Sequence, residues 1–217
     1  MLGLDPPTVI SRIIVLLIAF TVHEFSHAWT ANYLGDDTPR LYGRLTLNPI
    51  AHLDLMGTVL LILAGFGWAK PVPINPIALQ RRSRAGVMWV SLAGPLSNLL
   101  MAIVGAIPIR LGLVPLTLSS GILPGILPSP GYFLFEFIII NLTLMLFNLI
   151  PLAPLDGEKI LEYFLPPNLE RTWESIRPYS PLILIAIVFL GPLIGIDVLG
   201  WIMGPPLSAL WHVLTGI

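Results

Sequence analysis

The fold of this chain is decided by residues 9–33, which read VISRIIVLLIAFTVHEFSHAWTANY. Most positions are apolar, and the run exceeds the roughly 20 residues that a helix needs to cross a bilayer. Three ionisable side chains, His23, Glu24 and His27, lie together in its second half. A central Asp, Lys or Arg costs about 2.5–3.5 kcal/mol in such a helix, so ionisable groups there need a physical compensation.

The composition indicates that the whole chain resides in a membrane. Of its 217 residues, 55% are hydrophobic and 11% are charged, against about 25% charged in an ordinary soluble domain. The mean hydropathy is +0.86. A formal net charge of −1 argues against a nucleic-acid partner. Because the chain has no cysteine, disulfides and thiolate zinc ligands are excluded.

Other apolar runs predict an all-α polytopic membrane protein with about four to six transmembrane segments in a single domain, residues 1–217. The longer runs are 85–109, 132–150, 182–196 and 198–217, with breaks expected at 191–192 and 204–206. A short re-entrant or extended element is expected near 55–76, and a charged loop over 166–181. The N-terminus is not expected to be a cleavable signal, because the apolar run continues into His23.

The distribution of basic residues predicts the orientation in the membrane. Arginine and lysine cluster at 40–44, 70–84 and 159–177, whereas 111–131 has none. Since positively charged loops stay in the cytoplasm, residues 35–84 and 157–178 are predicted to be cytoplasmic. The histidines of the first helix then lie nearer the cytoplasmic face.

The pattern His23-Glu24-Phe25-Ser26-His27 indicates a metal site. Residues four apart share a helix face, so His23 and His27 can present both imidazoles to one ion. Glu24 lies one step round, where it can reach a metal-bound water without being a ligand. The alternative is a polar patch that joins helices, although the pattern arises by chance in on the order of one chain in a hundred or fewer.

A catalytic zinc normally has three protein ligands, so one more is needed. His52 and His212 are candidates. Asp156 is better placed, because it follows Pro151 and Pro154 at a break in an apolar run, on the same predicted side of the membrane as His27.

Several further motifs carry a family resemblance. The chain resembles the site-2 protease family of intramembrane zinc metalloproteases in its HExxH, in Asn148-Leu-Ile-Pro151 and in Leu155-Asp156-Gly157. The chain also resembles the compact bacterial and archaeal branch of this family in three runs, GRLTLNP (43–49), GWAKPVP (67–73) and AGPLSN (93–98). No stretch resembles the PDZ or CBS domains of larger members.

The resemblance implies one zinc ion per chain, held by His23, His27 and Asp156, with Glu24 as general base. It favours Asn148 as a donor to the oxyanion of the reaction. It implies a catalytic core of three membrane helices, about residues 9–165, with accessory segments over about 180–217. The expected substrate is a single-pass membrane protein, and the expected location is the inner or plasma membrane of a prokaryotic cell.

A membrane metal-binding protein or metal transporter that uses the same three ligands is the alternative function. Glu24 discriminates between the two, because a transport site has no need of a carboxylate beside the metal. The sequence also shows no inverted repeat of the kind common in transporters. Asn98 lies in a small-residue run and is predicted to serve helix packing.

Overall fold

The computed structural model describes residues 5–57, 67–118 and 126–217. Over these ranges the chain is mostly helical and contains no β-strand. Four helical segments of the described chain are long and apolar enough to cross a membrane, by length and composition: Pro6–Tyr33, Gly86–Arg110, Pro130–Asn148 and Pro167–Leu193. The predicted all-α polytopic membrane fold is confirmed.

The helices of the described ranges are α1 (Pro6–Tyr33), α2 (Thr38–Leu41), α3 (Pro76–Arg82), α4 (Gly86–Arg110), α5 (Pro130–Asn148), α6 (Asp156–Phe164), α7 (Pro167–Ile176), α8 (Ser180–Ile185) and α9 (Val198–Thr215). Short 3₁₀ turns occur at Pro49–Ala51 and Arg177–Tyr179. Beyond α8 the chain continues through a π-helical stretch, Ala186–Leu190, and a last turn, Gly191–Leu193.

Three long helices, α1, α4 and α5, pack against one another and form the centre of the molecule. Small side chains line their contacts and are at most 1% exposed: Ala19, Ala28, Ala31, Ala102 and Ala106. Small residues allow helix backbones to approach closely, which is how helices associate where lipid removes the hydrophobic driving force. This arrangement agrees with the predicted core of three membrane helices.

Polarity in the helical core is the reverse of that in a soluble protein. Along α4, Leu96, Leu100 and Val104 form one face and are 47–61% exposed. Asn98 and Asn141, in contrast, are completely buried between the helices. An apolar outside and a polar inside are expected when lipid is the solvent, because polar groups must then find partners within the protein.

Two sequence predictions about prolines are wrong. The segment predicted as a loop over 166–181 contains α7, which begins at Pro167. Proline fits the first turn of a helix because its missing N–H would have no intrahelical partner there. The break predicted at 204–206 is absent, since α9 runs through Pro205 and Pro206. Membrane helices tolerate such interior prolines more readily than soluble ones.

The extended element predicted near 55–76 is confirmed in its second half. Residues 67–75 are non-helical, and Leu53 forms an isolated antiparallel bridge with Ala69. The Lys70 N–H donates to the carbonyl of His52 at 2.8 Å. Most of the apolar run 55–66 lies outside the described residues.

Candidate metal centre

Helix α1 places two imidazoles side by side in the interior of the protein. His23 and His27 are 6% and 7% exposed, and their Nε2 atoms are 3.0 Å apart. The four-residue spacing puts both rings on the face that packs against α4. The predicted sharing of one face is therefore observed.

The turn between α5 and α6 brings a carboxylate to the same point. Asp156, the first residue of α6, has its Oδ2 atom 3.2 Å from His23 Nε2 and 3.3 Å from His27 Nε2. Gly157 makes this approach feasible, since a Cβ there would lie only 2.4 Å from the Leu149 carbonyl oxygen. Asp156 is thus the third member of the cluster.

The two alternative third ligands lie elsewhere. His52 is buried, and its Nε2 bonds the Thr46 carbonyl at 2.8 Å in the loop after α2. His212 bonds the Ile217 carbonyl near the end of the chain. Of the candidate ligands, only Asp156 joins the two histidines within the described chain.

Carbonyl oxygens set the protonation of both imidazole rings. His27 Nδ1 donates to the Val90 carbonyl at 2.6 Å, and His23 Nδ1 donates to Asn98 Oδ1 at 2.6 Å. A carbonyl can only accept, so each Nδ1 carries a hydrogen, and in the neutral ring Nε2 then keeps its lone pair. Both rings thus offer Nε2 as a metal ligand. Each ring is held by a hydrogen bond from Nδ1, as metal-binding histidines usually are.

A chain of amides fixes this arrangement for His23. The Asn141 amide donates to the Phe137 carbonyl at 2.8 Å, which leaves Asn141 Oδ1 to accept from the Asn98 amide at 3.0 Å. Asn98 must therefore turn its oxygen toward His23. The prediction that Asn98 serves helix packing misses this role, because the amide orients a ring on another helix.

The three converging atoms fit a zinc ion. In their neutral form the two imidazoles direct their Nε2 lone pairs at each other and at a carboxylate oxygen, and buried Asp156 Oδ2 has no hydrogen-bond partner in the described ranges. Three acceptors repel unless a cation lies among them. Ligands about 2.0–2.1 Å from a tetrahedral zinc lie about 3.3 Å apart, which matches the observed 3.0–3.3 Å.

Because Gly94 has no side chain, it leaves the space that the imidazoles of His23 and His27 occupy. A Cβ at that position would lie 2.4 Å from His27 Nε2 and 2.6 Å from His23 Cε1. Val90, Gly94 and Asn98 are spaced four residues apart and therefore lie on one face of α4. Val90 and Asn98 each supply an oxygen that accepts a hydrogen bond from an imidazole, and Gly94 leaves space for the two rings. This spacing is the signal in the sequence that could have identified the supporting face.

Glu24 lies beside the cluster without joining it. Its side chain is buried, 9% exposed, and lines the same cavity as the three ligands. Its carboxylate makes no hydrogen bond or ion pair with any residue in the described ranges. A buried carboxylate without such a partner is costly for folding, which favours a chemical role.

Asn148 also lines this cavity, but its amide donates to the Leu144 carbonyl at 3.0 Å within α5. The cavity measures about 570 Å³. One of its walls is the extended segment, through Ala69, Pro71, Val72 and Ile74. Whether Asn148 acts on an oxyanion stays a prediction.

We expect Asn98→Leu to lower the affinity for zinc by about 10–100-fold, the usual cost of removing a residue that hydrogen-bonds a metal-binding histidine. The substitution removes the acceptor that orients His23, while the three ligands remain. Competition with a fluorescent chelator measures the affinity. Ser97→Ala is the matched control, since among the described residues the Ser97 hydroxyl bonds only the Gly94 carbonyl. Equal affinities for Asn98→Leu and wild type would contradict the orienting role.

Comparison with known proteins agrees with this site. The chain is 42% identical over 177 residues to a Bacillus subtilis (strain 168) protein named "Putative zinc metalloprotease YwhC", which covers 81% of this chain and 78% of that protein. It is 29% identical over 180 residues to "Putative zinc metalloprotease Rip2" of Mycolicibacterium smegmatis, covering 79% of this chain and 64% of that protein. The Mycobacterium tuberculosis (H37Rv) protein of the same name is 30% identical over 176 residues, with 79% and 63% covered. No protein-family model and no solved structure matches the chain.

The chain belongs to the site-2 protease family of zinc metalloproteases. This confirms the family predicted from its motifs. The predicted zinc cofactor agrees both with the names of these relatives and with the donor set of His23, His27 and Asp156.

Proposed function

We propose that this chain is an intramembrane zinc endopeptidase that hydrolyses peptide bonds within or near the transmembrane segments of single-pass membrane proteins. The observation that carries the proposal is the position of the metal centre. His23 and His27 lie on a helix long and apolar enough to span a membrane, and both are buried. The cavity beside them is large enough for several residues of an unwound peptide.

The chemistry divides between the cofactor and Glu24. When bound, zinc polarises a carbonyl oxygen and makes a bound water acidic enough to be a nucleophile near neutral pH. Glu24 accepts the proton of the attacking water and passes it to the leaving amine. Its carboxylate is available because no described residue binds it. His23, His27 and Asp156 hold their positions through the bonds to Asn98 and Val90 and through the turn that precedes α6.

The substrate must be extended where it is cut, because helical hydrogen bonds shield its carbonyl groups. The segment 69–75 is already extended and lines the cavity, so it is a candidate to hold the substrate by strand addition. Asn148 would donate to the oxyanion after giving up its bond to the Leu144 carbonyl.

The proposed location is the inner or plasma membrane of a prokaryotic cell, with the active site nearer the cytoplasmic face. The arginines and lysines of 40–44 and 70–84 support this orientation through the positive-inside rule. A cytoplasmic opening would supply the water that the reaction consumes.

The test is cleavage of single-pass membrane proteins by the purified protein in detergent and in liposomes. We expect cuts within or near the transmembrane segment, located by mass spectrometry. We expect a zinc chelator to abolish them and added zinc to restore them. An unfolded soluble protein serves as the comparison substrate. Cleavage that persists without zinc, or that occurs only in the soluble protein, would overturn the proposal.

A further inference from the structure

Arg44 is a buried cation whose hydrogen bonds go to backbone carbonyls. It is 4% exposed, and its guanidinium donates to the carbonyls of Ala51 and Lys70 and, at 2.6 Å, to that of Pro71. No carboxylate in the described ranges forms an ion pair with it. Burial lowers the pKa of Arg44 from its ordinary value, and the negative charge of Glu24 opposes this. A charge buried at this cost implies that the geometry it maintains matters.

Two of these carbonyls belong to the extended wall of the active-site cavity. Lys70 and Pro71 lie in the segment 67–75, and the Lys70 N–H is held by the His52 carbonyl at 2.8 Å. A second buried charge holds the far end: Asp36, 1% exposed, accepts from the Asn75 N–H at 2.6 Å. The segment is therefore held at two points by charged groups that flank α2, Asp36 before it and Arg44 after it.

The prolines of this segment select which backbone donors remain. Pro71 and Pro73 have no N–H, and the N–H of Asn75 is taken by Asp36. Val72 and Ile74 thus keep their donors, which bond to no group in the described part of the chain. Both residues line the cavity, and residues two apart in an extended chain present their N–H groups on the same edge.

We propose that Arg44 is a positioning residue for the substrate, which holds Lys70 and Pro71 so that Val72 and Ile74 present their backbone to an extended substrate beside Glu24. This inference rests on the proposed function of the chain. Asp36 is the second anchor of the same wall. Arginine is required rather than lysine, because only a guanidinium can reach three carbonyls with fixed, forked donors.

The experiment compares Arg44→Lys with wild type and with Arg40→Lys, the same change on α2 at an exposed position. We expect Arg44→Lys to lower kcat/KM for a membrane substrate by about 10–100-fold, mainly through KM, because small misplacements of a substrate are costly. We expect the zinc content to stay at one ion per chain, since no ligand moves. Arg40→Lys should equal wild type in all respects.

Hydrogen exchange supplies a measurement that does not depend on cleavage. We expect Arg44→Lys to speed exchange in the peptide that covers 67–75, because the carbonyls of Lys70 and Pro71 lose the guanidinium that fixes them and the Lys70 N–H then bonds the His52 carbonyl less persistently. The peptide that covers His23 and His27 should exchange as in wild type. Faster exchange confined to 67–75, together with a raised KM, supports the positioning role.

Two outcomes would overturn it: wild-type KM and exchange in Arg44→Lys, or a uniform loss of zinc and of protection across all helices, which indicates a general folding role. Failure of the proposed function is distinguishable from both. In that case wild type itself cleaves no membrane substrate, and exchange over 67–75 still reports whether Arg44 holds the wall.

Discussion

Asp156→Ala is expected to cost the protein its zinc. Asp156 is one of the three proposed ligands, and the two that would remain, His23 and His27, lie on one helix face and cannot close a tetrahedral site alone. The loss of affinity should exceed the roughly 10–100-fold that follows when a residue bonded to a ligand is replaced, because here a ligand itself is removed. Zinc per chain after dialysis, measured by atomic emission, and chelator competition report the change.

Three variants make this measurement specific. Glu162→Ala removes an exposed carboxylate from the same helix, α6, and should leave zinc binding unchanged. His52→Ala and His212→Ala remove the alternative ligands, which bond to carbonyls far from the cluster. An Asp156→Ala protein that retains wild-type affinity, while either histidine variant loses zinc, would show that the ligand set is wrong.

Much of the helical framework could be predicted because hydropathy and proline act locally. The apolar runs located α1, α4 and α5 to within two or three residues. The failures also have a local cause. Residues 166–181 are predicted as a loop and 204–206 as a break, whereas Pro167 begins a helix and Pro205 and Pro206 lie within one that continues.

The proposed ligand set could be derived from the sequence for a different reason. His23 and His27 are related by helix geometry alone, and Asp156 is an ionisable residue at a break in an apolar run. Their supporting residues depend on how two helices are rotated about their own axes. Asn98 reaches His23 only because α4 turns that face toward α1, and periodicity along α4 does not fix this rotation.

Arg44 illustrates a further limit. Its type and position suggested only a basic loop on the cytoplasmic side. Its bonds to carbonyls of Lys70 and Pro71 join residues more than 25 positions apart in a non-helical region. No periodic pattern relates such residues, so their contact emerges only from the folded chain.

Glu24→Gln is expected to abolish most cleavage while the zinc stays bound. Glutamine has nearly the same size and still reaches the cavity, but its amide cannot accept a proton from water. Loss of a general base lowers the rate by about 10²–10⁴-fold. Thermal stability should not fall, because no described residue forms a hydrogen bond or ion pair with the Glu24 carboxylate. Turnover of a single-pass substrate, zinc content and the melting temperature in detergent measure the three quantities.

Glu136→Gln is the matched control, since Glu136 is a second glutamate buried among the spanning helices. It accepts hydrogen bonds from Arg12 at 3.1 and 3.2 Å and from Tyr132 at 2.9 Å, so its replacement should lower the melting temperature. Cleavage per zinc-loaded molecule should not change. The two glutamates thus separate the proposed catalysis from stability: no described residue bonds the carboxylate that we propose acts on water, whereas the carboxylate of Glu136 bonds Arg12 and Tyr132 and holds α1 to α5. Equal turnover in Glu24→Gln and wild type would remove Glu24 from the mechanism and leave the metal centre without its base.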